Sequence, residues 1–551
     1  MLRYFIAVIY FGAIFGNGMW VVKPGPKYPP TKGEVWPKPQ YETKKNTYHI
    51  FNPSSFKIKV INQTCDILTN AVERYSYVMR YNNGLRFHER KIHKRRRRIA
   101  NDALYRGTLN ELEIDLTAPC EDYPSLDMNE QYYLTIAATS TLTSSSIWGI
   151  LRGLETLAQL FYLSNDRNEI RINETVITDF PRYKHRGLLL DTARHYISVS
   201  NILKTLDAME MNKMNVFHWH IVDDQSFPYQ SEKFPELSEL GAYDSSMVYT
   251  KEDIERVVQY ARDRGVRVIP EFDAPGHTTS WGVAYPAIMT QCYSGDQVIG
   301  TGPMDPTNNM TYKLLKDLFQ EVQTWFPDKY FHIGDNVHTT RLPLTNPTIR
   351  KYMQDYNLTA SMLHAMFMRK VIPLLAPDSK PIVWQEVFDE GVDLSKDTLI
   401  QVWKYNWISE MIRILRAGHK LIFSSTWYLD ANCFLCFPVN PPLALYTADP
   451  RAMLARVLHN DTLLANVVGG EACMWGEMVD DRNVINRVWP RASAVAEKLW
   501  SAEEAGEGSV GGAGEAGASP RTYARLEEHA CRMLRRGVDA QPPSGPGFCV
   551  L

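Results

Sequence analysis

Residues 329–340 read KYFHIGDNVHTT, an apolar run that enters a glycine and then offers Asp335, Asn336 and His338. Several other apolar runs end in the same way. One carries Arg186 and Asp191; the next carries His218, His220, Asp223 and Asp224; a third carries Glu271, Asp273 and His277. Further on come Trp384 with Glu386, then Trp403, then Trp427, Tyr428 and Asp430, and finally Trp475 with Glu477. Carboxylates bind hydroxyl groups and move protons, and aromatic faces pack on sugar rings, so this mixture suits a carbohydrate and glycosidic cleavage. Each residue also has a structural reading. His218 and His220 serve more simply to orient neighbouring strands than to hold a metal, because period-two alternation splits HWH and the following DD between two faces. Single tryptophans usually belong to a core. Four of them at strand ends, interleaved with acids, point to a site.

These residues need a frame that gathers strand ends. From residue 182 the chain alternates strand and helix. The strand candidates are 185–192, 215–224, 266–274, 330–336, 381–388, 398–404, 420–428 and 467–476. Amphipathic stretches such as 251–265 and 312–326 lie between them. Eight buried-type strands with helical crossovers predict an α/β architecture, a (β/α)8 TIM barrel, with an open doubly wound sheet as the alternative. In a barrel the carboxyl ends of the strands meet at one mouth. Before it, residues 19–180 alternate like half-buried strands at 56–61, 110–116 and 130–137 and carry one helix at 145–161. That is a small α+β domain. Residues 181–551 then form the barrel and a helical tail at 522–537, entered through the low-complexity stretch 506–519.

The chain has 551 residues, 44% of them apolar, and a formal net charge of −2. It has the material for a large core and no general attraction for nucleic acid or an anionic membrane. The basic run HKRRRR at 93–98 reads as a solvated, cleavable loop. Residues 1–18 have the pattern of a secretory signal peptide, with an apolar run too short to span a bilayer. Later stretches give no membrane span. Five N-x-Thr tripeptides begin at Asn62, Asn173, Asn309, Asn357 and Asn460, and eight cysteines fit an oxidising compartment. Cys65 with Cys120 and Cys531 with Cys549 are natural staples. Cys433 and Cys436 lack the second pair that a zinc site needs.

The stretches YKHRGLLLDTARHY (183–196), MNVFHWHIVDDQSFPYQS (214–231), IPEFDAPGHTTSWG (269–282), IVWQEVFD (382–389), WYLD (427–430) and GGEACMWGE (469–477) occur in one order. This order resembles the family 20 glycoside hydrolases, the β-N-acetylhexosaminidases, over about residues 30–550, and the tail resembles the animal lysosomal and insect enzymes. The resemblance implies retaining hydrolysis of terminal non-reducing β-linked GlcNAc or GalNAc, assisted by the substrate's acetamide, with no metal or cofactor. It assigns Arg186 to the sugar hydroxyls, Asp223 and His277 to the pocket and its support, and Trp384, Trp403 and Trp475 to an aromatic box. Tyr428 matches the acetamide-binding tyrosine; Asp430 and Glu477 match acids at the sugar hydroxyls and aglycone side. Amino-sugar glycans or chitooligosaccharides are the implied partners, a homo- or heterodimer is allowed, and the location is the secretory pathway, lysosomal or extracellular.

One segment departs from the pattern. The family reads H-[IL]-G-G-D-E-V at the fourth strand, and this chain reads His332-Ile-Gly-Asp-Asn-Val337. Without a gap, Asn336 and Val337 replace the Asp-Glu pair. With one glycine deleted, the preferred register, Asp335 keeps the acetamide-orienting role and Asn336 replaces the general acid. The Cys-Trp that should follow is also gone, which leaves Cys292 without the partner that the resemblance gives it. Clustered losses mark a decayed site or a misread stretch of gene. The expectation is an impaired enzyme; the alternative is a weak or inactive glycan-binding homologue or partner subunit.

Overall fold

The computed structural model describes residues 31–82, 102–165, 169–335, 343–430, 445–502, 520–543 and 549. The signal-peptide stretch 1–18, the basic run 93–98, Asn336, Cys433, Cys436 and the low-complexity stretch 506–519 lie outside them. The first unit is a sheet of β1 (Tyr41–Phe51), β2 (Lys57–Asn62), β3 (Tyr105–Leu109), β4 (Glu111–Leu116), β5 (Tyr132–Ile136), β6 (Ser140–Ser144), β7 (Tyr162–Leu163) and β8 (Ile170–Asp179). Their spatial order is β2-β4-β6-β5-β8-β1-β3, with β7 on β8. Strands such as β4 and β5 alternate, because one face packs on helices and the other meets solvent. The helix Ile147–Leu160 is buried on every side. It sits on β5 and β6, and its Arg152 donates across to the carbonyls of Arg264 (3.0 Å) and Gly265 (2.7 Å) in the second unit.

The second unit is a closed barrel of eight parallel strands. They are β9 (His185–Asp191), β10 (Val216–His220) and β11 (Arg267–Glu271), then, after a hairpin of β12 (Met289–Ser294) and β13 (Gln297–Met304), β14 (Tyr330–His332). β15 (Lys380–Trp384), β16 (Leu399–Val402), β17 (Lys420–Phe423) and β18 (Val467–Met474) complete it. All eight expected strands are present. The stretch 381–388 is not one strand, since Gln385–Asp389 turns into a short helix and carries Glu386 at the mouth. Outward residues such as Leu188, Phe217, Trp219 and Phe331 join the large core under the helices. Inward residues form layers. Val216, Ile269, Ile382, Leu399, Ile422 and Val468 make an apolar floor that Leu126 of the first unit completes. Above it lies a layer of imidazoles and carboxylates, and above that the aromatic mouth. The ionic layer depends on a missing side chain: a Cβ on Gly187 would lie 2.4 Å from Cγ of Glu471, its neighbour across the strand pair.

Cys65–Cys120 and Cys531–Cys549 are both disulfides, and Cys292 is buried and unpaired, as expected. Among the tripeptides, Asn173 is 6% exposed and its amide donates to the Lys45 carbonyl at 2.6 Å, so it is a structural asparagine in the folded protein. No helix among the described residues is long and apolar enough to cross a membrane.

Candidate active site

Four aromatic side chains close a ring at the mouth. Trp384 ends β15, Trp403 follows β16, Tyr428 follows β17 and Trp475 follows β18. Successive ring centroids are 6.5 Å (Trp384 to Trp403), 6.3 Å (Trp403 to Tyr428), 6.4 Å (Tyr428 to Trp475) and 6.1 Å (Trp475 to Trp384) apart. The box is held from outside. Trp384 Nε1 donates to Glu271 Oε1 at 2.8 Å, and Trp403 Nε1 donates to both oxygens of Glu386 at 3.1 Å. Asp430 lies two residues past Tyr428. Burial, then the nearby Glu477 carboxylate, push its pKa up to about 6, and its Oδ1 has no hydrogen-bond partner among the described residues. Glu477 itself is more than half exposed.

Beneath the box, imidazoles and carboxylates alternate in one chain of hydrogen bonds. His185 Nε2 meets Glu471 Oε1 at 2.7 Å, and Glu471 Oε2 meets His218 Nδ1 at 2.9 Å. His218 Nε2 reaches Glu271 Oε2 at 3.0 Å, which also holds His220 Nδ1 at 2.6 Å. His220 Nε2 reaches Asp223 Oδ2 at 2.7 Å, and Asp223 Oδ1 reaches His277 Nδ1 at 3.1 Å. Burial alone lowers an imidazole pKa, but the carboxylates on both sides overcome it: His218 rises to about 9, and His220 rises well above its ordinary value. Burial likewise penalises the charge on Glu271, Glu471 and Asp223, and their histidines hold all three below the usual carboxylate range. His185, with one carboxylate, is lowered. Charges therefore alternate along the chain and cancel. The reading that alternation separates these residues is corrected here: His218 and His220 both face inward and share Glu271, while Trp219 faces out. The sets His218–Glu271–His332 and Asp223–Asp224–His277 bring their ligand atoms within 4.8 Å, as a shared cation would need, but here imidazoles and carboxylates pair with one another.

At the fourth strand, Gly334 and Asp335 both have left-handed backbones, with φ of +77° and +70°. A Cβ on Gly334 would lie 2.2 Å from Asp273 Oδ1. The Asp335 N–H donates to that same oxygen at 2.6 Å. Its carboxylate pairs with Nε2 of His364, on the helix Ala360–Val371 outside the barrel, and His364 Nδ1 lies 2.8 Å from Glu390. Burial opposes the charge on His364, yet Asp335 and Glu390 raise its pKa to about 10. Asp273, deeply buried and close to Glu271, is pushed up to about 8.

Arg186 does not reach the mouth. It is the second residue of β9, at the amino end, and its guanidinium bonds the carbonyls of Lys213 (2.9 Å) and Tyr183 (2.8 Å) and the Glu130 carboxylate (2.5 Å). The arginine at the mouth is Arg194, three residues beyond the strand. It pairs with Asp191 (2.9 Å), Asp223 (3.0 Å) and Glu477 (3.4 Å), and its guanidinium carbon lies 4.9 Å from the Trp475 ring centroid. Strand direction was the signal that distinguishes the two: a rise of about 3.3 Å per residue sets the ends of β9 far apart, and only its carboxyl end opens on the mouth.

The comparisons with known proteins agree with this geometry. Residues 183–503 match the family described as glycosyl hydrolase family 20, catalytic domain, and residues 35–160 match one described as beta-acetyl hexosaminidase like. The β-hexosaminidase subunit α of Bos taurus is 39% identical over 535 residues, covering 94% of this chain and 95% of that protein. The human β-hexosaminidase subunit β is 38% identical over 539 residues, covering 96% and 90%. The solved structure of Flavobacterium johnsoniae chitobiase superposes with a TM-score of 0.76 at 29% identity, covering 92% of this chain and 73% of that one. With the barrel covered by one family match and the preceding sheet by the other, the chain belongs to glycosyl hydrolase family 20.

Proposed function

We propose that the mouth binds a terminal non-reducing β-linked GlcNAc or GalNAc residue and that the chain hydrolyses it slowly, with retention and with the substrate's acetamide as nucleophile. The observation that carries this reading is the closed ring of Trp384, Trp403, Tyr428 and Trp475, bordered by acids. In it the Tyr428 hydroxyl donates to the acetamide oxygen. Asp430 and Glu477 accept from sugar hydroxyls, and Arg194 takes the role first given to Arg186. Asp223 and His277 support the pocket from the side.

Slow turnover is supported by the fourth strand. Left-handed backbone at two successive residues suits a Gly-Gly pair. This favours the register without a gap, in which Asp335 stands at the second glycine, Asn336 at the acetamide-orienting position and Val337 at the acid. In the gapped register Asp335 keeps the orienting role and Asn336 stands at the acid. Both registers lack the carboxylic acid, and an asparagine amide or a valine neither donates nor takes a proton as that acid does. General acid–base help is worth about 10²–10⁴-fold. The relatives' names extend the proposal to an amino-sugar glycan or chitooligosaccharide as ligand and a homo- or heterodimer as assembly, and the N-x-Thr tripeptides and two disulfides support the secretory pathway, lysosomal or extracellular, as location.

The missing acid also favours a second reading, a glycan-binding partner subunit. Calorimetry with GlcNAc, together with turnover of an aryl β-N-acetylglucosaminide and of a chitooligosaccharide, separates the two. Expected are GlcNAc binding, measurable aryl turnover, and oligosaccharide turnover about 10²–10⁴-fold below that of the Asp335→Gly/Asn336→Asp/Val337→Glu variant. Absence of GlcNAc binding sinks the site, and near-normal oligosaccharide turnover sinks the impairment. Binding without turnover of either substrate establishes the partner-subunit reading.

A further inference from the structure

We infer that His277 delivers the proton to the leaving oxygen in this chain, and that the buried series from Glu471 to Asp223 behind it holds its imidazole in the charged, correctly oriented form. The inference rests on the proposed sugar pocket and supplies the donor that the fourth strand lacks. His277 lies in the loop after β11, next in the barrel to β14. Asp273, four residues before it, accepts the Asp335 N–H, so this loop touches the backbone from which Asn336 continues. Its Nδ1 is committed to Asp223, and Nε2 has no partner among the described residues. The ring is about one-quarter exposed, unlike His218, His220 and His332, which are sealed in the barrel. Through Asp223 it is one bond from Arg194, which lies over Trp475.

The groups facing His277 all come from the mouth. Asp223 and Asp224 follow β10, at 3.1 and 3.6 Å; Asp273 precedes it in its own loop; Arg194 follows β9 and opposes its charge through space. Burial lowers its pKa, and the carboxylates carry it up to about 9. Asp223 in turn is held by His220, and His220 by Glu271, so removal of any inner member leaves the next charge uncompensated. The proton count closes. As the acetamide oxygen bonds the anomeric carbon and the glycosidic C–O bond breaks, the Nε2 proton passes to the departing oxygen and the imidazole becomes neutral. Water then adds to the same carbon, the oxazolinium ring opens to the acetamide, and the water's proton returns to Nε2.

The test compares the full-length wild type with His277→Gln on para-nitrophenyl β-N-acetylglucosaminide, whose leaving group needs no proton, and on N,N′-diacetylchitobiose, whose leaving group does. A GlcNAc-derived thiazoline reports binding. Expected is a kcat loss on chitobiose at least about tenfold larger than on the aryl glycoside, a part of the about 10²–10⁴-fold help that the missing acid would give, while retained thiazoline binding shows that the pocket is intact. In the wild type, kcat on chitobiose should fall with a single alkaline limb near pH 9. Equal losses on both substrates, no loss on chitobiose, a missing limb, or thiazoline binding with no chitobiose turnover each overturns the inference while leaving the pocket standing. Absence of thiazoline binding overturns the pocket first and the inference with it. The wild-type limb and leaving-group dependence decide the matter even where the variant fails to fold.

Discussion

Two arginines eight positions apart in sequence differ in what they are for. Arg186 is fully buried between Glu130 and backbone carbonyls, whereas Arg194 meets three carboxylates beside Trp475. Arg194→Gln is expected to weaken GlcNAc binding by about ten- to a hundredfold, the worth of a charge-assisted hydrogen bond of about 1.5–3 kcal/mol. Arg186→Gln is expected to lower the melting temperature and leave the affinity of the surviving folded protein intact. Calorimetry and thermal melts of both variants check this; the reverse pattern returns the sugar role to Arg186.

The ionic layer belongs to the strands jointly, since β9, β10, β11 and β18 each supply members. Its charge pattern gives the barrel a pH window. His218 has a folded pKa of about 9 against the ordinary 6.5, so its stabilisation is complete below about pH 6.5 and is lost as pH climbs through about 9, and His220, raised by Glu271 and Asp223, acts in the same direction. Glu271 and Glu471 have values below the ordinary 4.5, so theirs is present above about pH 4.5 and is lost as pH falls below it. Melting temperature measured from about pH 4 to about pH 10 should peak between about 4.5 and 6.5. His218→Gln should flatten the alkaline arm; an unchanged arm would mean the layer is not the cause. Much of this level was readable beforehand. The eight strands announce themselves as apolar runs with acids at their ends, and the box tryptophans follow from those ends. The ionic layer was not readable, because inward-facing polar residues on different strands carry no local signal; only closure of the barrel shows that His218, Glu271 and Glu471 meet. The left-handed Asp335 was hidden for a related reason, since the carboxylate that accepts its N–H belongs to Asp273, in the loop after β11.

At the scale of the whole chain, the two units are joined by charge as well as packing. Glu130 of the first receives Arg152 (2.9 Å) and Arg186 (2.5 Å), all three buried, and Lys213 of the second reaches Asp179 at 2.7 Å. Glu130→Gln leaves two guanidinium groups short of their anion and is expected to cost about 3–5 kcal/mol, the usual price of halving a buried pair. Denaturant melts followed by both fluorescence and circular dichroism measure it, and a cost below about 1 kcal/mol would show that the carbonyls alone satisfy the arginines. The helix Pro520–Arg535 adds a consequence of another kind. Arg536, just past that helix, and its Arg532 grip Glu155 and Gln159 in the first unit, its Arg525 pairs with Glu497 of the barrel, and its Glu528 accepts the Thr31 N–H. Two stretches of chain 497 positions apart are thus clasped together. The contacts that this helix makes with the first unit therefore form only once the barrel between them in sequence has been synthesised.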